Sequence, residues 1–369
     1  MKISINYKYV NSPWGGGNEF IRNLSTFLIQ KKHTVVYNLM PVDIDLILII
    51  DPRMSSELTI YNLDHANLYK KYINPNVKIV HRINECNKRK NLEGIDEFYI
   101  KENKKADFSI FVSNWLYREY LNKGYEKNYK VIMSGADSKI FNTQARLKWN
   151  SKDKLKIVTH HWGNHWNKGF EYYKILDDHI EQNNLQEKLE FTYIGNFNKS
   201  YKPKNIICKP PLAGKRLAME LRKHHMYITG SQNEPSGNHH IEASQLGLPV
   251  LYIESGGIPE FCKDFGVGFK KNNFLEKFNY LIDNYDHYYK KIEMFPYNAE
   301  NMSKEYENLF ESLINDNSKI IIKESKLNLN YINFKIYSFF TFLLGRFRFI
   351  LKVQKTLFLN KYYKYEKTF

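Results

Sequence analysis

Two glutamates, Glu234 and Glu242, bracket the segment of this chain best suited to chemistry. An apolar stretch ends at Thr229, the turn Pro235-Ser-Gly237 follows, and a helical pattern begins near Asn238. Because the first amides of a helix have no partner within it, the amides from Gly237 to His239 can hold phosphate oxygens. Glu242, one turn into the helix, is placed to accept hydrogen bonds from the two hydroxyls of a ribose. Glu234 lies on the loop, nearer to any sugar beyond the phosphates.

A second strand-to-helix turn carries Lys168 where a helix is predicted to start. A lysine at this position is suited to neutralise a diphosphate, although many lysines of this chain are solvated surface residues. His161 and His165 are four residues apart, which resembles a metal-binding pair. The flanking Trp162 and Trp166 and the lack of a nearby carboxylate argue against zinc. We therefore expect no metal here.

Two further features have both a structural and a functional explanation. The loop Gly15-Gly16-Gly17 opens a predicted helix, Asn18–Gln30, and lets the backbone approach a ligand, although loops also use glycine freely. His81 ends a predicted strand, Lys78–His81. A single histidine there is structural by default, but doubly wound sheets bind ligands at the carboxyl ends of their strands, so we predict a site role for His81.

The elements that must position these residues are predicted from apolar runs that alternate with amphipathic stretches. This alternation is typical of a doubly wound parallel sheet, and it restarts after the polar stretch Asn142–Lys154, which indicates two α/β units. The other predicted strands are Ile3–Tyr7, Thr34–Asn38, Leu46–Ile50, Ser109–Val112, Lys130–Met133, Lys156–His160, Glu190–Ile194, Asn205–Cys208, Met226–Thr229 and Val250–Ile253. The other predicted helices are Pro211–Lys223, His239–Leu246 and Asn298–Ile314.

Several segments, in the same order along the chain, resemble the GT4 family of retaining GT-B glycosyltransferases. The resemblance covers roughly residues 1 to 315, and its specificity comes from the order and spacing of the motifs. The matching motifs are the Glu-x7-Glu pair Glu234 and Glu242, the glycine loop Gly15–Glu19, Ala106-Asp107 with Val112–Trp115, the junction turn Ser134–Asp137 with Phe141, Lys168-Gly169, and Ser255–Glu260.

The sequence departs from the family pattern at three places. Gly163 stands where the family commonly carries an arginine about five residues before the lysine, so His161 or Asn164 is expected to take over that diphosphate contact. Pro235-Ser-Gly237 replaces the usual Gly-Phe-Gly, and Ser134 replaces a common asparagine. These differences leave the choice of donor open.

The resemblance implies an α/β protein of the GT-B class, in which two Rossmann-like doubly wound domains face each other across a cleft. The expected acceptor-side domain is 1–145, and the nucleotide-sugar-binding domain is 150–297. A closing helix is expected at 298–316, followed by a basic, aromatic C-terminal extension at 317–369.

The activity implied by the resemblance is transfer of a sugar from a UDP- or GDP-sugar, with retention of configuration, to a glycan, lipid-linked or other acceptor. No cofactor and no metal are expected. Glu234 and His81 would be catalytic. The residues expected to bind the donor are Gly16, Gly17, His161, Asn164, Lys168, Gly195, Pro235, Ser236, Gly237, Asn238, His239 and Glu242. Two alternatives stay open: a nucleotide-sugar isomerase or hydrolase, and a non-catalytic protein of the same fold that binds sugar or nucleic acid.

The net charge of +16 is compatible with nucleic acid, an anionic membrane or a phosphorylated small molecule. Residues 331–369 contain eight Lys or Arg, one acid (Glu366) and thirteen Phe or Tyr. This segment is either an interfacial element on anionic lipid or an extension that packs on its own domain or on a second subunit. No RNA-binding motif accompanies the charge, so no specific nucleic acid is expected.

The sequence also bears on where the protein works. The three cysteines are far apart and form no CxxC pair, so we expect neither a disulfide framework nor a thiolate metal site. The first residues do not read as a signal peptide. A cytoplasmic protein is therefore expected, held peripherally at a membrane surface if the C-terminal extension binds lipid.

Overall fold

The structure is a computed structural model that describes residues 1–10, 15–54, 56–315 and 330–343. Within these ranges the chain forms two sheets of six strands each, and every strand pairing inside them is parallel. The strands of the first sheet are β1 (Lys2–Ile5), β2 (Thr34–Val36), β3 (Leu46–Ile49), β4 (Lys78–Ile83), β5 (Phe108–Phe111) and β6 (Tyr129–Val131). Those of the second are β7 (Leu155–His161), β8 (Leu189–Gly195), β9 (Ile206–Lys209), β10 (Met226–Thr229), β11 (Val250–Ile253) and β12 (Gly266–Phe269).

Both sheets are doubly wound, as the sequence pattern predicts. The strand order is β2-β1-β3-β4-β5-β6 in the first and β12-β11-β10-β7-β8-β9 in the second. All residues of β3, β10 and β11 are buried, because helices cover both faces of each sheet. The direction of winding reverses between β1 and β3, and again between β7 and β10. Loops that leave neighbouring strands there diverge and open a crevice at the carboxyl edge of the sheet.

Helices connect the strands and pack on both faces of each sheet. Their bounds are α1 (Gly16–Gln30), α2 (Leu63–Tyr72), α3 (Asn87–Lys90), α4 (Ile95–Asn103), α5 (Asn114–Leu121), α6 (Phe170–Gln182), α7 (Gly214–Leu221), α8 (Asn238–Gln245), α9 (Ile258–Cys262), α10 (Phe274–Asp283), α11 (Tyr285–Lys291) and α12 (Ala299–Asn315). Helix α1 is amphipathic, since Phe20, Ile21, Leu24 and Leu28 form its buried apolar face.

Most element boundaries differ from the sequence prediction by one or two residues. Strands β10 and β11 have the predicted bounds. Strand β4 was predicted to end at His81 but continues through Arg82 to Ile83, both of which are buried. Strand β12 was not predicted, because two of its four residues, Gly266 and Gly268, have low strand propensity. Its first glycine is required by close packing, since a Cβ there would lie 2.4 Å from the carbonyl oxygen of Val250.

Helix α12 returns the chain from the second domain to the first. Its residues Tyr306 and Phe310 are buried in a cluster with Ile3 and Phe20 of the first domain, and the rings of Phe20 and Tyr306 lie 5.2 Å apart. Where the chain crosses back, the amide of Ala299 donates to the carbonyl of Ala136 at 2.8 Å. The segment that leaves the first domain near Ala136 and the segment that returns to it near Ala299 therefore lie side by side.

The described part of the C-terminal extension, residues 330–343, is a helix packed on α2. Within the described ranges, no helix combines the length and the apolar character needed to cross a bilayer. The rest of the predicted extension, 317–329 and 344–369, lies outside the described residues, as does residue 316 at the end of the predicted closing helix.

Candidate active site

A cavity of about 390 Å³ lies between the two domains, at the carboxyl edges of both sheets. Eleven of the fourteen residues proposed from the sequence line it: Glu234, Gly16, Gly17, His161, Lys168, Gly195, Ser236, Gly237, Asn238, His239 and Glu242. These residues come from four separate segments: the strand ends, loops and helix starts that follow β1, β7, β8 and β10. The winding reversals described above place them together.

Two helix N-termini meet in this cavity. Helix α1 begins at Gly16 after Gly15, whose φ of 89° suits glycine, and α8 begins at Asn238 after Gly237, whose φ is 77°. The Asn238 side chain lies 3.4 Å from the carbonyl oxygen of Gly16. Neither helix has a side-chain cap, so both present backbone amides and the positive ends of their dipoles to the cavity. This arrangement suits an anion with more than one phosphate.

Glu234 is buried between two cations from different domains. Its carboxylate forms an ion pair with Lys168 of the second domain, and its Oε1 lies 3.1 Å from Nε of Arg89 in the first. The hydroxyl of Ser231 also donates to it at 3.2 Å. Burial alone would raise the pKa of Glu234, but the charges of Arg89 and Lys168 outweigh burial and lower the pKa well below its ordinary value. Glu234 is therefore an anion that is held rigidly.

The loop that carries Glu234 is fixed by a pair of glycines after β11. The amide of Gly257 donates to the carbonyl of Glu234 at 2.8 Å. A Cβ on Gly256, whose φ is 69°, would lie 2.5 Å from that same carbonyl oxygen, and one on Gly237 would lie 2.8 Å from the Glu234 Cγ. Glycine is required at these positions because the backbone must approach the glutamate closely.

Lys168 lies in a single 3-10 turn, Trp166–Lys168, rather than at the start of α6 as predicted. Gly169 ends the turn with φ at 100°, and a Cβ there would lie 2.8 Å from the backbone of Gly230. Burial lowers the pKa of Lys168, and Glu234 partly opposes that effect. The ammonium group is thus directed into the cavity beside the carboxylate.

Glu242 is anchored by a histidine that is not among the residues proposed from the sequence. Its Oε2 lies 2.9 Å from Nε2 of His160, the residue before His161 on β7. Glu19, on the first turn of α1, faces the same region. Burial raises the pKa of Glu19 to about 6; Arg22 opposes this rise, and Glu242 adds to it. Glu242 retains acceptor capacity for hydroxyl groups, because each carboxylate oxygen can accept more than one hydrogen bond.

Two other histidines lie side by side at the cavity wall with their ring planes tilted. The rings of His161 and His239 have centroids 4.5 Å apart. His161 Nε2 is 2.7 Å from the hydroxyl of Tyr173, and His239 Nε2 is 2.9 Å from that of Thr229. Burial first, and then neighbouring cationic groups, lower the pKa of both rings well below the ordinary value. Both rings are therefore neutral hydrogen-bonding groups near pH 7.

Three predicted residues do not line the cavity. His81 is fully buried in β4, where Nδ1 lies 2.8 Å from Oδ1 of Asn103, and burial lowers its pKa to about 4. The expected position at the strand end is occupied by Asn84, which does line the cavity, because β4 runs two residues beyond His81. Asn164 is exposed, and Pro235 is buried with its carbonyl against Gly257. The assigned roles of these three residues remain predictions.

Two arginines that are not among the residues proposed from the sequence, Arg82 and Arg89, also line the cavity. Arg82 lies near the end of β4, and Arg89 lies in α3, the short helix that follows; doubly wound sheets place ligand contacts at this edge. Nε of Arg82 donates to the hydroxyl of Tyr306 at 3.1 Å, and its guanidinium lies 3.9 Å from the ring centroid of Phe20. Position relative to the strand end was the signal that could have identified them.

Metal-ligand residue types come together elsewhere in the described part of the chain. His33, Glu307 and Glu311 lie close enough to share an ion, but they are outside the cavity, and His33 is already paired with Glu307 at 2.8 Å. The expectation that the reaction needs no metal remains a prediction.

Comparison with solved structures identifies the architecture. Sucrose-phosphate synthase from Thermosynechococcus elongatus matches 86% of this chain and all of its own, with a TM-score of 0.59 at 13% identity. Anabaena HepE, solved with UDP and glucose, matches 85% of this chain and all of its own, with a TM-score of 0.62 at 14% identity. The catalytic domain of starch synthase IV from Arabidopsis thaliana, bound to ADP and acarbose, matches 82% of this chain and 79% of its own, with a TM-score of 0.56 at 13% identity.

These matches confirm the predicted GT-B fold of two Rossmann-like domains. No protein-family model matches the sequence. No curated protein matches it either. At these levels of identity the similarity establishes the fold, and the chemistry has to be argued from the cavity itself.

Proposed function

We propose that this protein is a glycosyltransferase that uses a nucleoside-diphosphate sugar as its donor. The observation that carries the proposal is the meeting of two uncapped helix N-termini, a buried lysine and the Glu234 and Glu242 carboxylates in one cavity between two domains. A nucleotide sugar offers the complementary groups: two phosphates, a ribose with two hydroxyls, and a hexose beyond them.

We propose one direction for the donor in the cavity. The diphosphate would lie against the first amides of α8, with Lys168 and the His161 ring beside it. Glu242, oriented by His160, would accept hydrogen bonds from the ribose hydroxyls. The sugar would then lie near Glu234, on the side that faces Arg89 and Asn84 of the first domain. This order matches the sequence of groups along the donor.

The chemical step needs stabilisation of the leaving diphosphate. As the bond from the anomeric carbon to the phosphate oxygen breaks, negative charge builds on that oxygen, and the α8 amides with Lys168 would stabilise it. The acceptor hydroxyl forms the new bond to the anomeric carbon and gives its proton to the leaving phosphate. We propose that attack takes place on the face of departure, so that configuration is retained. Glu234 would orient the sugar through its hydroxyls.

Three further points extend the proposal. Two of the structural neighbours were solved with UDP-glucose or ADP, which supports a nucleotide sugar as donor; we propose a UDP- or GDP-sugar. The acceptor would be a glycan, a lipid-linked glycan or another hydroxyl compound. We also propose that the protein acts in the cytoplasm without a metal or cofactor.

The test begins with a thermal-shift panel of UDP-, GDP- and ADP-sugars, since a ligand of the native state raises the melting temperature. Release of the matching nucleotide is then measured with and without candidate acceptors. Glu234→Gln should lower turnover by about a hundredfold to a thousandfold while nucleotide binding persists. Glu187→Gln, at an exposed acid far from the cavity, is the matched control.

Several results would count against the proposal. A panel without any response would remove its basis. Unchanged turnover in Glu234→Gln would exclude the proposed role of that residue. Nucleotide release that does not depend on an acceptor would indicate a hydrolase.

A further inference from the structure

The helix at 330–343 packs on the first domain along one face. Phe334 is buried in the cluster beneath α2, with its ring centroid 5.9 Å from that of Tyr69. Tyr337 stacks on Tyr72 at 5.7 Å with nearly parallel planes. The His65 ring also contacts the backbone carbonyl of residue 338, at 3.2 Å from Nε2. These contacts fix which side of the helix faces the protein.

The opposite face carries an apolar stripe. Its members recur at helical spacing, and each is between 46% and 59% exposed: Ile332, Ile336, Phe339, Phe340 and Leu343. A helix that only had to pack on its own domain would place polar residues on this side. Exposed apolar residues grouped in this way mark an interaction site.

The charges around the stripe point to an anionic partner. Residues 330–343 contain no acid and one base, Lys335, whose ammonium lies 5.2 Å from the ring centroid of Tyr331. Lys71 lies similarly against Tyr72, which the helix covers. The sequence then continues through 344–369 with seven Lys or Arg against Glu366, interleaved with aromatic residues.

These features discriminate between three possible partners of the apolar stripe: a second copy of this chain, nucleic acid and a lipid bilayer. A second copy of this chain would bring two basic segments together on a protein of net charge +16, which is electrostatically unfavourable. Nucleic acid would match the charge, and its bases could stack on the aromatic rings. The aliphatic residues Ile332, Ile336 and Leu343 offer neither a charge nor a ring to nucleic acid. An anionic bilayer surface matches both properties, because it offers negative headgroups above an apolar interior.

We propose that the helix at 330–343 docks this protein on the surface of an anionic lipid bilayer. The helix lies parallel to the membrane plane, with the apolar stripe inserted at the boundary of headgroups and acyl chains. Lys335 contacts the lipid phosphates, and the basic composition of 344–369 favours the same anionic surface. Phe334 and Tyr337 hold the first domain to the other side of the helix. This inference stands on surface residues and does not depend on the proposed reaction.

The experiment is flotation of the full-length protein with two kinds of vesicle, phosphatidylcholine alone and an equimolar mixture with phosphatidylglycerol. We expect binding to the mixed vesicles and little to the neutral ones. The double variant Ile336→Ser, Phe340→Ser removes apolar surface without changing charge, and it should lower the affinity by at least about tenfold. The matched control, Leu121→Ser with Met219→Ser, changes two exposed apolar residues on other helices and should bind as the unmodified protein does.

Other results would overturn the proposal. Undiminished binding of the stripe variant would mean that the basic segment alone attaches the protein. Equal binding to neutral vesicles would exclude the role of charge. A dimer in solution that the stripe variant converts to monomer would identify a second copy as the occupant. Circular dichroism and melting temperature establish that both variants are folded, and hydrogen exchange of peptides from 330–343 should slow on mixed vesicles if the helix inserts.

Discussion

Arg89 of the first domain and Glu234 of the second are joined across the cavity, with Nε 3.1 Å from Oε1. Lys168 holds the same carboxylate from the side of the second domain. A buried carboxylate with two cations is more strongly fixed than one with a single partner, and here the second cation belongs to the opposite domain. The ion pair between Arg89 and Glu234 therefore makes the position of Glu234 depend on how closely the two domains approach each other.

Replacement of Arg89 should separate catalysis from nucleotide binding. In Arg89→Gln, Glu234 keeps Lys168 but loses its contact with the first domain, so we expect kcat/KM to fall by about tenfold to a hundredfold. The dissociation constant of the free nucleotide should change little, because α8 and Lys168 remain. Steady-state kinetics and calorimetry measure the two quantities. Arg118→Gln, at an exposed arginine near Glu260, is the control, and equal losses in both variants would contradict a specific role for Arg89.

The contribution of Glu242 to nucleotide affinity should depend on the ribose hydroxyls of the nucleotide. Glu242→Gln keeps an acceptor for His160 but removes the charge, so nucleotide affinity should fall by about tenfold to a hundredfold. The corresponding 2′,3′-dideoxynucleotide should bind the variant and the unmodified protein equally. A variant that weakens both nucleotides to the same extent would show that Glu242 acts on the structure of the site rather than on the ribose.

Glu19 should make stability depend on pH in a defined direction. Its pKa is raised from 4.5 to about 6 in the folded state, so the folded protein binds more protons than the unfolded chain between these values. The free energy of unfolding therefore falls as pH rises through this window, and the full cost is present above pH 6. Glu19→Gln should stabilise the protein by about 1–2 kcal/mol more at pH 7.5 than at pH 4. Urea denaturation at the two values tests this, and an equal effect at both would contradict the pKa assignment.

Gly256 should tolerate no side chain. Its φ is 69°, and an added Cβ would lie 2.5 Å from the Glu234 carbonyl oxygen and 2.6 Å from its nitrogen. Gly256→Ala should cost about 2 kcal/mol or more, in addition to a loss of activity as the Glu234 loop moves. Gly124→Ala is the matched control, because φ is 82° but nothing lies within 4 Å of the added carbon; we expect about 1 kcal/mol. Similar melting temperatures for the two variants would show that the loop yields easily.

The sequence was sufficient for features that depend on local pattern. Apolar strands buried on both faces, such as β10 and β11, leave runs of apolar residues with clear ends, and the turn chemistry around Gly237 identifies the start of α8. Glu234 and Glu242 both belong to this one loop and helix, so their relative placement could also be predicted from the sequence.

Contacts between segments that are distant in the sequence could not be predicted from local pattern. Arg89 and His160 contact Glu234 and Glu242 from elements more than 80 residues away in sequence, and no local pattern encodes those pairings. His81 was assigned to the cavity because its strand was predicted to end two residues too early. In a strand, a shift of this size decides whether a side chain lies within the sheet or at its edge.

The return of α12 to the first domain has a consequence for biosynthesis. The core of that domain is completed by Tyr306 and Phe310, which are translated long after its last strand ends at Val131. While the second domain is being translated, the apolar surface beside α1 stays exposed, because α12 has not yet been made. Nascent chains that stop before residue 299 should therefore depend on chaperones, and the two domains cannot mature independently in the order of their synthesis.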